Sequence, residues 1–511
     1  MLANLREWRN SFIYINRIPS EILSLIPTHL SSREDIFRAS SVCRHWRGTF
    51  IQYAPLWSQL ILSKGEPYTK TLLERAKGSA LDIITERGDP ASVVTLLLPH
   101  NQQIKSLEFE LGHWEDIQKF SEVNSGPLPL LRTLKINVVN GPDLDNLPNM
   151  APPSLPLFTS AVNLKEFVLH SERFPFLNHF VFPNLTSFEL FAIPGVERYH
   201  ASELLDFLEA SPMLRTVRVK IIADLVHEDV PRERVVVLPD TETFSLVVSD
   251  GEHGFITAAH ISCPSARNTS LAHEKGADVI PQEIFPTSTL WKAIVYQYTS
   301  RPVESVELKI GMHRDPVFTF SLVFRSPDTT ALQLGFKVSA CDEEEGHPVS
   351  QYELHDKAFS QTVRTILDHP SVAEIKRLRI QHMISFEPED DITATSDVGH
   401  LFKSLSTLDE LVLCGCDLHL YLAPFFNYSV GKHTFVFPAV KELTISHPEE
   451  PIDKKDCARA IMELARSQYA LGIPFERVTI CMDGLFELTA NMLRPWVGVV
   501  DCRDEVFVED P

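Results

Sequence analysis

Residues 17–62 read RIPSEILSLIPTHLSSREDIFRASSVCRHWRGTFIQYAPLWSQLIL, and their apolar spacing predicts short helices. Pro19 suits the first turn of a helix, where its missing N–H group is not needed. Ile18, Ile22 and Ile26 recur four residues apart, which places them on one face of a helix. The stretch therefore predicts an amphipathic helix that starts near Pro19.

A second helix is predicted from a capping-box pattern, in which Ser31 is followed three residues later by Glu34. Its apolar side chains follow a 3-4-3 spacing and form one continuous stripe on a single helix. The stripe consists of Ile36, Ala39, Cys43 and Trp46. We assign no redox or nucleophilic role to the cysteine, because cysteine in such a stripe acts as a small hydrophobic residue. The spacing alone fits two structures equally well: an exposed docking module, or a helical cap that buries the stripe on its own chain.

The same stretch resembles the F-box family through several runs taken together: I-P-x-E-I-L, a following leucine, D-I-x-x-A-S-x-V-C-x-x-W and P-L-W. The resemblance implies a three-helix module that docks on a Skp-type adaptor, which in turn binds a cullin. The positions that match the motif, and to which the resemblance assigns adaptor contact, are Ile18, Pro19, Ile22, Leu23, Leu30, Ile36, Ala39, Val42, Cys43 and Trp46. Pro27 departs from the family pattern and would shorten the first helix by about a turn.

A second pattern recurs from about residue 104 to 480: an apolar residue, two others, then two apolar residues separated by one. The last two have the period of a β-strand, and helix-like stretches such as ASELLDFLEA precede several of them. The central apolar positions are Leu107, Leu134, Phe167, Phe188, Val217, Phe244, Val306, Leu378, Leu411, Leu443 and Val478. The unit resembles a leucine-rich repeat, which implies an α/β fold that forms an irregular, curved solenoid. The alternative is a mixed α/β domain whose strands share only a local pattern.

Two spacings in this series, from Phe244 to Val306 and from Val306 to Leu378, are about twice the others, so each predicts a hidden strand or an insertion. Apolar residues alternate on both sides of the turn-forming SPDTT, which predicts a β-hairpin at about 315–340 that either widens the array or projects from it. Residues 249–290 are rich in Gly, Pro, His and Ser and are predicted to form a loop.

These patterns divide the chain into three predicted segments. They are an F-box helical module at 1–62, a connecting helix, strand and helix at 63–100, and a repeat array at 101–511. An F-box followed by degenerate repeats resembles F-box family proteins of mushroom-type fungi.

The composition disfavours several classes of protein. The formal net charge of −21 repels phosphate groups, so nucleic acid and anionic membranes are not expected partners. The eight cysteines include no C-x-x-C pair, and neither a signal peptide nor an 18-residue apolar span is evident. The sequence therefore predicts a reduced, intracellular protein of the cytoplasm, the nucleus or both.

No compact catalytic or nucleotide-binding motif occurs in the sequence. The most metal-like group is Cys414-Gly-Cys416-Asp417 with His419, yet Cys416 falls where a leucine-rich repeat carries an inward-facing residue, so core packing is the favoured role. The acidic run at 342–345 is typical of a solvated loop. We expect no enzyme activity, metal or cofactor, although missing motifs leave open a dispersed catalytic site.

The favoured hypothesis is the substrate-recognition subunit of a ubiquitin ligase of the SCF type, built from a Skp adaptor, a cullin and an F-box protein. The module would dock on the adaptor, and the array would present an unknown protein substrate. The alternative is a non-catalytic repeat scaffold with no ligase role.

Overall fold

The computed structural model describes the chain in segments. They are residues 12–30, 33–62, 65–85, 95–111, 126–138, 161–171, 180–192, 199–221, 225–227, 229–249, 251–275, 303–313, 317–326, 329–339, 372–382, 404–415, 440–446, 454–481 and 486–502, with single residues at 8, 120, 177, 363, 366, 367, 401 and 402. The chain forms two compact units: residues 1–195 with 206–214, and residues 196–205 with 215–511.

The fold is mixed α/β, with a helical N-terminal module followed by mostly parallel β-structure. The α-helices of the described segments are α1 (Ser20–Leu23), α2 (Arg33–Ser40), α3 (Arg44–Gln52), α4 (Glu66–Ala76), α5 (Ala201–Glu209), α6 (Gly251–Ala259), α7 (Lys454–Ala470) and α8 (Phe486–Leu493). Short 3-10 helices lie at Tyr14–Arg17, Ile26–His29, Ala54–Trp57, Leu98–Gln103 and Val372–Glu374.

The helical module contains three α-helices, but the predicted second helix is broken in two. The hydroxyl groups of Ser40 and Ser41 donate hydrogen bonds to the Phe37 carbonyl at 2.7 and 2.9 Å, and α2 ends there. Cys43 is extended, with φ −158°, and precedes the first residue of α3. The prediction of one continuous helix was therefore wrong, because serine side chains compete for the backbone groups that would continue it.

The first helix is short, as the proline predicts. The α-helix ends at Leu23 and the chain continues as the 3-10 helix Ile26–His29, which contains the proline. The first residue of the predicted capping box, Ser31, lies outside the described residues. In 63–100, α4, a strand at Leu81–Thr85 and the 3-10 helix Leu98–Gln103 follow in the predicted order.

The strands in the described residues of the first unit are β1 (Gln59–Ile61), β2 (Leu81–Thr85), β3 (Ile104–Leu111), β4 (Thr133–Val138), β5 (Glu166–Ser171) and β6 (Ser187–Ala192). Each pairs in parallel with the next. Side chains along β4, β5 and β6 alternate between half-buried and buried, as the strand period requires. The predicted central residues face one another in register, Leu107 with Leu134, then Phe167, then Phe188.

The main strands of the second unit are β7 (Thr216–Ile221), β8 (Thr243–Val248), β9 (Asn268–Lys275), β10 (Ser305–His313), β11 (Val317–Ser326), β12 (Thr329–Ser339), β13 (Arg377–His382), β14 (Glu410–Gly415), β15 (Glu442–Ser446), β16 (Arg477–Cys481) and β17 (Val499–Cys502). Two-residue strands at Tyr199–His200 and Leu225–Val226 pair with each other, as do those at Val236–Val237 and Ile261–Ser262.

The predicted hairpin is confirmed, and it widens the strand ladder. Strands β11 and β12 are antiparallel to each other, and β11 is antiparallel to β10. β12 pairs in parallel with β9, and β10 pairs in parallel with β13, so the hairpin lies between two strands that would otherwise be neighbours. The apolar row stays continuous across the insertion, from Leu271 through Leu334, Leu322 and Leu308 to Ile380.

The prediction of a loop at 249–290 was wrong over its first half. Residues Gly251–Ala259 form α6, and Asn268–Lys275 form β9, which is the strand hidden in the first long spacing. This strand escaped the apolar pattern because its central position is Thr269, a polar residue that is nevertheless buried. The acidic run at 342–345 lies outside the described residues.

Candidate functional site

The helical module has a hydrophobic core of its own. Leu23, Trp46 and Phe50 are buried and form its centre. Five partly buried side chains pack against this centre: Ile18, Ile26, Ala39, Cys43 and Leu56. Because α1 and α3 both contribute to the centre, the short helices stabilise one another without a long helix.

The ten predicted adaptor-contact residues therefore fall into three environments. Leu23 and Trp46 are buried in the core of the module. The half-buried residues are Ile18, Leu30, Ile36, Ala39 and Cys43. The exposed residues are Pro19, Ile22 and Val42. Direct adaptor contact stays a prediction for all ten, and of these only Pro19, Ile22 and Val42 are exposed to solvent.

Large apolar side chains remain exposed on the module beyond those predicted. Ile22 and Val42 are 53% and 55% exposed, and Leu25, Phe37 and Ile51 are exposed as well. We call these five residues the exposed apolar set. Exposed apolar side chains that lie together mark protein-interaction sites, so these five residues are the candidates for such a site on the module. Leu25, Phe37 and Ile51 were missed because sequence reasoning followed the motif and did not ask which helix face the module's own core would use.

Trp57 connects the module to the first strands. Its ring is buried, and its indole Nε1 donates a hydrogen bond to the Phe50 carbonyl at 2.9 Å. The Arg75 guanidinium of α4 lies 4.7 Å from the centre of the Trp57 ring, and the Phe37 ring lies 6.1 Å away. Strand β1 starts two residues after this tryptophan, and the Asp82 amide donates to the Ser58 carbonyl at 3.0 Å. The module and the strand ladder are thus joined without a linker.

The outward-facing positions of the strands are the other candidate surface. In the first unit they carry Asp82, Glu108, Glu110, Glu166 and Glu189 against one cation, Lys135, all half-buried or exposed. In the second unit Glu307 is buried and forms ion pairs with Arg325 at 2.7 Å and Arg379 at 3.5 Å. The outward positions are therefore mainly acidic in the first unit, whereas in the second unit the acidic Glu307 is paired with two arginines.

The metal-like cysteine group is only partly described. Cys414 is buried in β14, whereas Cys416, Asp417 and His419 lie outside the described residues. Burial raises the pKa of the Cys414 thiol, and the nearby Arg379 lowers it in part. Within the described part of the chain, no group of three His, Cys, Asp or Glu residues could hold a metal ion. A buried thiol with a raised pKa is unreactive, so Cys414 packs as a small apolar side chain, and the packing role of Cys416 stays a prediction.

Comparison with known proteins finds a family match for one part of the chain. Residues 15–63 match the F-box-like family model, which coincides with the helical module. F-box domains typically bind Skp-type adaptors, so the match suggests an adaptor-binding protein. No curated protein matches the chain. In the described residues, no helix has the length and apolar character needed to cross a membrane.

Proposed function

We propose that this chain is a substrate receptor of a ubiquitin ligase of the SCF type. The helical module would dock on a Skp-type adaptor and through it on a cullin, and the strands would form a leucine-rich-repeat-like array that holds a protein substrate. The protein would act in the cytoplasm or nucleus, and it would supply position while other subunits perform the transfer chemistry. The carrying observation is the exposed apolar set, which lies on a module with its own core and an F-box-like sequence.

The linker-free joint at Trp57 supports this proposal. A receptor must hold its substrate at a defined distance from the ubiquitin-loaded enzyme, and flexible linkers spread that distance over a wide range. A buried tryptophan whose indole and ring contact three helical segments limits such spreading in the first unit.

The test compares two charge insertions on exposed apolar residues of the full chain. Ile22→Glu with Val42→Glu should weaken co-purification with a Skp-type adaptor at least tenfold, because each places a carboxylate in an apolar contact and a tenfold change needs only about 1.4 kcal/mol. Val162→Glu with Val181→Glu is the matched control, since these valines of the first unit are 55% and 57% exposed.

Normal adaptor binding by the Ile22/Val42 variant would contradict the docking surface. Failure of the unaltered chain to bind any Skp-type adaptor would favour the scaffold alternative. Trp46 is unsuitable for this test because its side chain is buried in the core, so its replacement would report on folding.

A further inference from the structure

Three basic residues stand side by side where strands of the first unit begin. The Arg132 amide donates to the Lys105 carbonyl at 2.8 Å, and the Lys165 amide donates to the Arg132 carbonyl at 2.8 Å. The three residues therefore hold equivalent positions at the starts of β3, β4 and β5, with Arg132 and Lys165 directly before their strands, and all are exposed. We call them the basic strip. Neighbouring strands lie about 4.8 Å apart, so the strip spans about 10 Å.

In the second unit, the residues at the corresponding strand starts stabilise the pairing of neighbouring strands. There the same backbone hydrogen bonds join Glu304, Lys376, Asp409, Lys441 and Glu476, whose charges alternate. Lys376 forms an ion pair with Glu304 at 3.9 Å, and Lys441 forms one with Asp409 at 2.8 Å. The hydrogen bond to Asp409 also raises the pKa of Lys441. Alternation places opposite charges beside each other, which is the favourable arrangement across strands.

Among the described residues, the basic strip has this compensation at one end only. Lys105 lies 3.9 Å from Asp82, and the Lys165 ammonium donates to the Asn184 carbonyl at 3.1 Å. Between them Arg132 has no acidic partner among the residues that the structure describes. Like charges directly opposite each other on neighbouring strands are destabilising. A local rule broken without a compensating contact is typical of a functional position.

The surroundings limit the size of an anionic partner. The outward positions of β3, β5 and β6 carry Glu108, Glu110, Glu166 and Glu189, and Lys135 of β4 lies among them. A membrane surface or a nucleic-acid duplex is a wide array of negative charge, and it would be repelled by these carboxylates and by a chain with net charge −21. An extended peptide is narrower, and its same-side side chains repeat at about 6.6–6.8 Å, so two acidic residues at alternate positions fit within the strip.

We propose that Lys105, Arg132 and Lys165 bind an extended acidic segment of a protein partner through its carboxylate side chains. The proposal deepens the proposed function, since it names the substrate class of the receptor. Its first measurement needs no adaptor, so its failure leaves the docking surface untouched.

The binding experiment uses the full chain and a fluorescein-labelled octapeptide of alternating Glu and Ser, followed by fluorescence anisotropy. Replacing all three strip residues by Gln should weaken binding at least tenfold. The matched control replaces Lys376, Lys441 and Arg477 by Gln, which removes the same charge from the second unit, and it should bind within twofold of the unaltered chain. The Ile22→Glu/Val42→Glu variant should also bind normally.

A second variant separates binding from folding. Arg132→Glu restores the alternation of the second unit, so it should raise the melting temperature while abolishing peptide binding. No binding by the unaltered chain, an equal loss in both Gln variants, or a lower melting temperature for Arg132→Glu would overturn the proposal. Tighter binding of an eight-nucleotide single-stranded DNA than of the peptide would overturn the choice of a protein partner.

Discussion

Two adjacent residues of α1, Ile22 and Leu23, have different environments although both match the same motif. Leu23 is fully buried beside Trp46 and Phe50, whereas Ile22 is exposed. Leu23→Ala should therefore lower the free energy of unfolding by about 2–5 kcal/mol, because it leaves a cavity in a small core. Ile22→Ala should change it by less than about 0.5 kcal/mol.

Urea denaturation of the two variants measures this difference. Equal effects of Ile22→Ala and Leu23→Ala would contradict the core assigned to the module. Motif matching predicted that both residues matter, but it could not tell which one faces inward. The α-helix α1 is only four residues long and is followed by a 3-10 helix, so the four-residue spacing of Ile18, Ile22 and Ile26 does not define one buried face.

Cys263 allows a second test at the level of a single residue, in which the free energy of unfolding is measured as a function of pH. Burial raises the pKa of its thiol from 9.0 to about 12. A proton held more tightly in the folded state is released on unfolding, so this stabilisation is complete below pH 9 and is lost as the pH rises from 9 toward 12. The expected slope is about 1.4 kcal/mol per pH unit.

The measurement is the free energy of unfolding between pH 8 and 11 for the unaltered chain and for Cys263→Ala. The variant should show a shallower decline in this window. In addition, iodoacetamide at pH 8 should modify Cys263 only after unfolding, because the thiolate is the reactive form. Rapid modification in the folded state would contradict the burial.

At the scale of the element, a turn with proline at its second position precedes many strands. It occurs at Leu128–Leu131, Phe182–Leu185, Ser211–Leu214, Leu238–Thr241 and Cys263–Ala266, and in each the last amide donates to the first carbonyl. Proline favours the second position of such turns because its φ is already set. This signal could have found β9, since Cys263-Pro-Ser-Ala266 precedes it in a sequence whose apolar pattern is weak.

Two turns have asparagine as their third residue, Phe182–Leu185 and the similar turn Ala161–Leu164, which has Val162 in place of proline. In both, the asparagine side chain links the turn to the chain that precedes the neighbouring strand. The Asn163 side chain donates to the Pro129 carbonyl at 2.7 Å, and the Asn184 side chain donates to the Val162 carbonyl at 2.8 Å. Asn184→Ala should lower the free energy of unfolding by about 0.5–1.5 kcal/mol, the usual contribution of one hydrogen bond.

The matched control is Met213→Ala, which alters the third residue of the turn Ser211–Leu214. The Met213 side chain is exposed and has no hydrogen-bond donor. Chemical denaturation should show a near-neutral effect for this variant. An equal loss in both would mean that the turn, and not the asparagine contact, carries the stability.

The strands were the most predictable elements. Every central apolar position named from the sequence is the second residue of a strand or lies near its start, because a buried row on one face forces a period of two. The helix break at Ser40–Cys43 was not predictable in this way, since side-chain to backbone hydrogen bonds of serine leave the apolar spacing unchanged.

In the second unit taken as a whole, the inserted hairpin can be removed without changing the direction of the remaining strands. Strands β10 and β12 run in the same direction because β11 reverses between them, so the chain leaves both at the same end of the ladder. Removing residues 314–340 should therefore let β9 pair with β10 directly, with Leu271 beside Leu308, and preserve the remaining strands.

The deletion variant should be soluble and keep its β-sheet circular dichroism, with a lower melting temperature because two strands of buried apolar residues are lost. Aggregation of the variant under conditions in which the full chain is soluble would show that the hairpin is required for the ladder to form. The sequence predicted the hairpin itself, but not whether it widened the ladder, because strand pairing partners are set by distant parts of the chain.

The absence of a linker after Trp57 has a consequence for production of the strand region without the helical module. A truncation at residue 62 removes β1 and leaves β2 with an unpaired outer edge, which is a template for association between copies. It also removes Trp57 and so exposes the Arg75 side chain of α4, which this tryptophan contacts. An exchange of the helical module for that of another protein should therefore replace strand β1 together with the helices.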